Sequence, residues 1–251
     1  MEVKRKPFQG VLNIIRFNWH FYLLAGLLLI GLLCFRLTLP QIIQPVALWL
    51  SILAILTLSL SLLISFHIYD RSDLYTLNWL PNSDNKKVLN INAGFDETSE
   101  IIKSKYPDTE LTICDFYNPD KHTEISIERA RKAYPPSPTT IQVSTDKLPF
   151  QENFFDYTLA ILSAHEIRDS RERIQFFKEL NRVTKPRGQI FVTEHLRDIN
   201  NFAIYTVGFF HFFSKTTWVN TFKKSNLKVK SEIKTTPFIT TFILIKDGDT
   251  L

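Results

Sequence analysis

Two stretches without a formal charge constrain the first quarter of this chain more than anything else in it. No Asp, Glu, Lys or Arg occurs between Arg16 and Arg36, and none between Arg36 and Asp70. Each gap exceeds or nearly equals the roughly 20 residues that a helix needs to cross a hydrocarbon core. Phe17 to Phe35 is the first expected span and Val46 to Phe66 the second, joined by a turn that holds Pro40 and Pro45. Trp19, His20, Phe21, Tyr22, Trp49 and Tyr69 stand near the ends of these runs, where aromatic side chains favour a membrane–water interface. The first run is longer than the apolar core of a signal peptide, lacks a small-residue cleavage site and is followed at once by the second. It therefore reads as an anchor and not as a cleaved leader.

Lys4, Arg5, Lys6 and Arg16 place the N-terminus in the cytoplasm by the positive-inside rule, and two crossings return Asp70 to the same side. The expected organisation has four parts. Residues 1–16 are a basic segment, either a short helix on the membrane surface or a frayed tail. Residues 17–69 are a two-helix transmembrane hairpin, 70–87 a polar connector, and 88–251 a domain on the cytoplasmic side of a multi-pass membrane protein. The net charge of +5 over 251 residues is modest. Its basic residues form no aromatic-interleaved stripe, so no nucleic-acid partner is expected; a membrane surface suits them better. The two cysteines, Cys34 and Cys114, form neither a disulfide framework nor a metal pattern.

From Val88 the pattern alternates strand and helix. Val88–Ile91 is a short apolar run suited to a strand buried on both faces. Asn92, Ala93 and Gly94 form a turn, Asp96 stands where a helix N-cap belongs, and Leu111–Cys114 is a second strand closed by Asp115. Further strands are expected at 141–144, 157–162 and 189–193, with helices at 96–105, 122–134, 171–183 and 216–225. Lys185–Gly188 reads as a turn, and 227–233 with 238–245 as a closing β pair. Strands separated by helices imply an α/β fold with a largely parallel sheet and ligands beyond the carboxyl ends of the strands.

Several segments resemble the class I S-adenosylmethionine (SAM)-dependent methyltransferases, specifically the methyltransferase-11 or UbiE-like group. Val88-Leu-Asn-Ile-Asn-Ala-Gly-Phe-Asp96 aligns with the family's strand and glycine-rich loop. Asp115 matches the acidic end of its second strand, Thr145-Asp-Lys-Leu-Pro-Phe150 its adenine segment, Phe155-Asp-Tyr157 the entry to strand four, and Leu180–Gly188 the turn before strand five. The resemblance implies a Rossmann-like seven-stranded sheet and SAM as cofactor. It also implies a cofactor site at Asn90, Asn92, Gly94, Asp96, Asp115, Asp146 and Leu148. The loop departs from the family pattern: Asn90, Asn92 and Asp96 replace its first Asp, first Gly and last Gly, leaving Gly94. Asp96 either pairs with a cationic part of SAM or only caps the helix. Gly-x-Gly-x-x-Gly, which a dinucleotide dehydrogenase would carry, is absent.

Two His/Glu dipeptides fall at strand ends, His165-Glu166 and Glu194-His195. His165, Glu166 and His195 are the expected catalytic residues, with a histidine as the base that a hydroxyl acceptor needs. Glu194 is as well placed to pair with Arg168 or Arg197. His165, Glu166, His195 and His211 carry ligand-type atoms, but none of their spacings is that of a zinc motif, and no metal is expected. Residues 199–213 are too apolar for a surface loop and too short to span; they either dip into the membrane interface as the mouth of an acceptor pocket or pack on the sheet. The function expected is methyl transfer from SAM to a small lipophilic acceptor, with O-methylation favoured. The alternative is a membrane-anchored scaffold that kept the fold without catalysis.

Overall fold

In the computed structural model, which describes residues 5–122 and 124–248, a short helix and two long apolar helices lead into an α/β domain. Lys4 of the basic stretch, Thr123 of the fifth helix's expected range and the last three residues of the domain lie outside the described residues. Helix α1 is Gln9–Phe17, α2 Trp19–Phe35 and α3 Gln44–Phe66. Helices α2 and α3 are long and apolar enough to cross a membrane. None of the side chains of α2 is buried, and α3 buries only Ala47, Ser51 and Ser65. Their leucines, isoleucines and aromatics face outward, an arrangement that strongly disfavours exposure to water.

Helix α1 settles against the α/β domain. Asp70, in a widened turn at 67–71, accepts hydrogen bonds from the Gly10 and Val11 N–H groups at 2.7 and 2.9 Å and so supplies the cap the helix start lacks. A Cβ at Gly10 would come within 2.4 Å of the Tyr69 Cβ, so this crossing requires glycine. Arg129 donates to the Phe17 carbonyl at 2.6 Å and the Tyr134 hydroxyl to Asn13 at 3.1 Å.

The sheet contains β1 (Lys87–Asn92), β2 (Glu110–Asp115), β3 (Ile141–Gln142), β4 (Phe155–Ile161), β5 (Thr184–His195), β6 (Leu227–Thr236) and β7 (Ile239–Lys246). Their spatial order is β3-β2-β1-β4-β5-β7-β6, parallel except for β7, which runs antiparallel between β5 and β6. Helices α4 (Ser99–Lys105), α5 (Ile125–Ala133), α6 (Ser170–Val183), α7 (Ile199–Tyr205) and α8 (Lys215–Lys224) complete the fold. The apolar stripe of α6 (Phe176, Phe177, Leu180 and Val183) is fully buried under the sheet, and Asp169 caps its first turn.

Three local differences from the sequence reading have physical causes. Helix α4 starts three residues late because Asp96 folds back to accept the Thr98 and Ser99 N–H groups, each at 3.0 Å. The expected turn at 185–188 is absorbed into β5 as a bulge: Phe155 faces Thr184 while Tyr157 faces Gln189, and Arg187 takes φ +62°. Residues 70–87 are no spacer, since Leu74, Leu77, Trp79 and Leu80 are buried, the last three against Val88, Ile102 and Phe191.

Candidate functional site

Strands β1 and β4 leave the sheet in neighbouring positions, with the chain crossing over on opposite sides, and a cleft opens beyond their carboxyl ends. It holds two cavities. One, of about 320 Å³, is walled by the β1 end, the turn after β4, the start of α5 and, from above, α1 with Tyr69 and Tyr75. The other, of about 640 Å³, lies between the ends of β2 and β3 and the start of α6.

Arg131, on α5, helps wall the second cavity. It forms an ion pair with the Asp115 Oδ2, while the Tyr117 N–H donates to Oδ1 at 2.8 Å. The Arg131 guanidinium stacks on the Tyr117 ring at 4.7 Å. Gly94, at φ +97°, is the turn residue after β1, and the space over it is filled by Arg131 and Tyr117. Its N–H donates to Asn92 Oδ1, and Asn92 Nδ2 donates to the Cys114 carbonyl, both at 3.0 Å. Asn90 Nδ2 ties the start of α4 through Thr98 Oγ1 and Ser99 Oγ at 3.0 and 2.8 Å. The two asparagines thus hold the loop by side-chain bonds where the family pattern has an acid and a glycine.

Of the seven residues expected around a cofactor, Asn90 and Asn92 line the smaller cavity. Asp115 is fully buried and lines neither cavity, and Gly94 lies beneath Arg131. Asp96 spends one oxygen on capping α4. Asp146 stands exposed at the rim, bonded to the Ser144 hydroxyl, which holds its carboxyl below the usual range. Leu148 lines neither cavity: it is a core residue whose N–H donates to Glu179 at 2.8 Å.

The three expected catalytic residues line the smaller cavity together with His211. His165 Nδ1 is 2.6 Å from Glu194 Oε2 and its Nε2 is 3.1 Å from Glu166 Oε1. Burial opposes charge on His165, but Glu194 and Glu166 outweigh it and hold the imidazole protonated well above its ordinary value. Burial likewise pushes the Glu166 carboxyl up, yet bonds to His165 and His211 win and lower it. His165 is therefore no base in this arrangement. His195 is the opposite case: burial pulls it down to about 4, so it is neutral. Asn201 donates to Asp198 and to the Phe238 carbonyl, which aims its Oδ1 at His195 Nδ1 at 3.1 Å. This assigns the His195 proton to Nδ1 and leaves Nε2 to accept from the Tyr69 hydroxyl at 2.7 Å.

Glu194 pairs with His165 and not with Arg168 or Arg197, because both arginines are engaged elsewhere. Arg168 donates to the His211 carbonyl at 2.6 Å; Arg197 donates to those of Phe212 and Phe210 at 2.7 and 2.6 Å. Glu124 and Arg131 were not singled out by sequence, and Tyr69 only as an aromatic at the end of an apolar run. Glu124 left one trace: it precedes α5 as an N-cap would, yet makes no capping bond. Its carboxylate instead meets His211 Nδ1 at 2.9 Å.

Residues 105–192 match the type 11 methyltransferase-domain family. The α/β part of this chain has the class I methyltransferase fold. The matched stretch runs from the end of α4 into β5 and leaves out the altered loop at 90–96. In fold, the α/β domain is similar to a SAM-dependent methyltransferase from Aquifex aeolicus, at 13% identity and a TM-score of 0.52, covering 71% of this chain and 92% of that one. It is also similar to the pyocyanin biosynthetic protein PhzM, at 10% identity and a TM-score of 0.53, covering 74% of this chain and 57% of that one. No protein of curated function matches the chain in sequence.

The residues present fit SAM with one rearrangement. The Asp115 carboxylate at the end of β2 has the two acceptor oxygens that a pair of ribose hydroxyls needs, and its neighbours Phe116 and Tyr117 line the larger cavity. Arg131 must swing away from Asp115 for those hydroxyls to reach it.

Proposed function

We propose that the chain is a membrane-anchored enzyme that moves a methyl group from SAM to a small lipophilic acceptor, with an oxygen nucleophile favoured. The observation that carries this reading is the position of the smaller cavity. Its roof includes Phe17 and Asn18, the last residues before α2, and Tyr69, which follows α3. Both apolar helices therefore leave the domain at the cavity, and an acceptor dissolved in the bilayer would enter where the hairpin meets the domain. A tether of this kind shortens the search for a membrane-dissolved substrate and does nothing for a soluble one. The mean burial of α2 and α3 in the protein is close to none, in keeping with lipid as their surroundings.

The exposed Ile199, Phe202 and Phe210 suit a segment at the membrane interface, and α7 packs against α3. The basic N-terminus and the two spans favour the cytoplasmic side for the methyltransferase domain.

SAM supplies an electrophilic methyl group on a sulfonium. Asn90, Asn92 and the Gly94 turn would shape its amino-acid end and Asp115 its ribose. On the acceptor side, Tyr69 and His195 form a proton path. A hydroxyl next to the Tyr69 oxygen would donate its proton there while the Tyr69 proton passes to His195 Nε2, and the freed oxygen pair would take the methyl carbon as the carbon–sulfur bond breaks and its electrons stay on the sulfur. His195 is a weak base, so this path needs an acceptor hydroxyl acidified by its surroundings.

The test is the full chain in lipid vesicles supplied with methyl-labelled SAM and a membrane lipid extract. The expected result is label in the organic phase as a stable ether. Label confined to water-soluble products would overturn the lipophilic acceptor, and absence of SAM binding by folded protein would favour a scaffold without catalysis.

A further inference from the structure

The wall of the acceptor cavity gathers two imidazoles around one carboxylate. His165 and Glu166 lie in the short turn 164–166 after β4, and His211 ends the 206–211 turn after α7. His165 Nε2 is 3.1 Å from Glu166 Oε1, and His211 Nε2 is 3.6 Å from that same oxygen. The two imidazole rings are 5.0 Å apart and nearly perpendicular, at 82°. One ligand atom from each of the three residues lies within 4.8 Å of the others. Each imidazole has its remaining nitrogen tied to a separate carboxylate: His165 Nδ1 to Glu194 at 2.6 Å, His211 Nδ1 to Glu124 at 2.9 Å. A carboxylate behind each ring fixes its orientation and makes the opposite nitrogen a better electron donor, as in histidines that hold metals. The backbone under His211 is fixed as well, by Arg168 and Arg197 on three successive carbonyls.

We propose that His165, Glu166 and His211 bind one divalent first-row transition metal through the two Nε2 atoms and a Glu166 oxygen, on the wall of the acceptor cavity. Two imidazoles and one carboxylate suit Zn²⁺ and its neighbours; Mg²⁺ and Ca²⁺ prefer all-oxygen sets. Three protein ligands leave a coordination position open, which is the pattern of catalytic sites and not of structural ones. The ligands come from segments 45 residues apart in sequence, which is why no spacing motif reveals them.

The consequence for acceptor chemistry rests on the function proposed above. An open position facing the cavity draws a hydroxyl or thiol and lowers its pKa, which supplies the acidification that the weak base His195 requires. Ion binding itself does not depend on that function.

The experiment uses the full chain in detergent micelles, stripped with a chelator and then titrated with Zn²⁺ or Co²⁺ alone. We expect about one ion per chain, and for Co²⁺ the intense ligand-field bands of a four- or five-coordinate site, abolished by Zn²⁺. His211→Ala should weaken Zn²⁺ binding by about 100-fold or more. Glu194→Gln, which removes the carboxylate behind His165 without touching a ligand atom of the site, should weaken it by about 10–100-fold. A Co²⁺ spectrum of the aqueous ion only, no ion retained after dialysis, or Zn²⁺ affinity unchanged in both variants would overturn the site. SAM titrated into the same preparation separates the two proposals: SAM binding without ion binding removes the metal alone, and ion binding without SAM binding removes the proposed function alone.

Discussion

The two ends of the cleft are built differently. At the acceptor end, His165, Glu166, Glu194 and His211 are held from several sides, by one another, by Glu124 and by a backbone clamped with two arginines. At the cofactor end, the glycine-poor loop is held by asparagine side chains, Asp146 faces solvent, and the one buried carboxylate, Asp115, is covered by an arginine of the chain itself. In the proposed reading the first end is organised before any ligand arrives, and the second changes when one does. A preorganised group contributes most when its partners cannot relax away, so the difference places the chemical demands at the acceptor end and the conformational step at the cofactor end.

The largest expected effect tests the rigid end. Glu194→Ala leaves the buried His165 Nδ1 and backbone N–H without their carboxylate. Breaking one side of a buried charged pair costs about 3–5 kcal/mol. Denaturant unfolding of the domain should show a loss of that size; a loss below about 1 kcal/mol would mean that this end relaxes as freely as the other.

The next concerns His195. Its folded-state value is lowered to about 4 by burial, against about 6.5 for an unfolded chain. The unfolded state therefore binds the extra proton between those values. Stability falls as pH drops from about 6.5, and the full loss of about 3 kcal/mol is reached below about pH 4. Unfolding followed at pH 7 and pH 4.5 should show most of that loss in the wild-type chain and much less of it in His195→Asn. Equal slopes would show that His195 is not held neutral.

How much of this contrast was legible in the sequence follows from what a sequence encodes locally. The strand ending in Asp115 and the helix α6 could be placed from residue types alone, because periodicity and end signals act over a few neighbours. The two charge-free runs were equally plain. The convergence of Glu124, His165 and His211 could not be placed: one residue precedes a helix, one follows a strand, and one sits in a turn dominated by phenylalanine. Only tertiary packing brings them together, and none has a partner at helical or hairpin spacing. Helix α1 as a roof was hidden for a related reason. Its cap, Asp70, lies beyond both apolar helices, so the basic segment carries no local sign of where it docks. Leu148 shows the reverse error: a family motif pointed to the adenine pocket, while apolar burial placed the side chain in the core.

A smaller effect is expected at the adaptable end. Arg131→Met keeps much of the side chain's length but frees the Asp115 carboxylate. A charge-assisted bond that must break before the ribose can bind opposes binding by about 1–2 kcal/mol. Calorimetry should therefore show SAM binding about tenfold tighter in the variant. Weaker binding would instead make Arg131 part of the cofactor site, and the cofactor end would then count as organised in advance.

The smallest effect asks whether the contrast extends to the route of entry. Phe202 and Phe210 expose 47% and 61% of their surface on the segment that also positions His211. If they lie in the membrane interface, they guide the acceptor and do not touch the reacting atoms. Replacing both with serine removes apolar contact of about 1 kcal/mol, a fraction of what full burial of a phenylalanine provides. KM for a membrane-dissolved acceptor should then rise about fivefold at unchanged kcat, and KM for a short-chain soluble analogue should not move. A fall in kcat for both acceptors would mean that the phenylalanines hold His211 in place. The rigid end would then include its own doorway, and the acceptor would have to enter by way of the α1 roof.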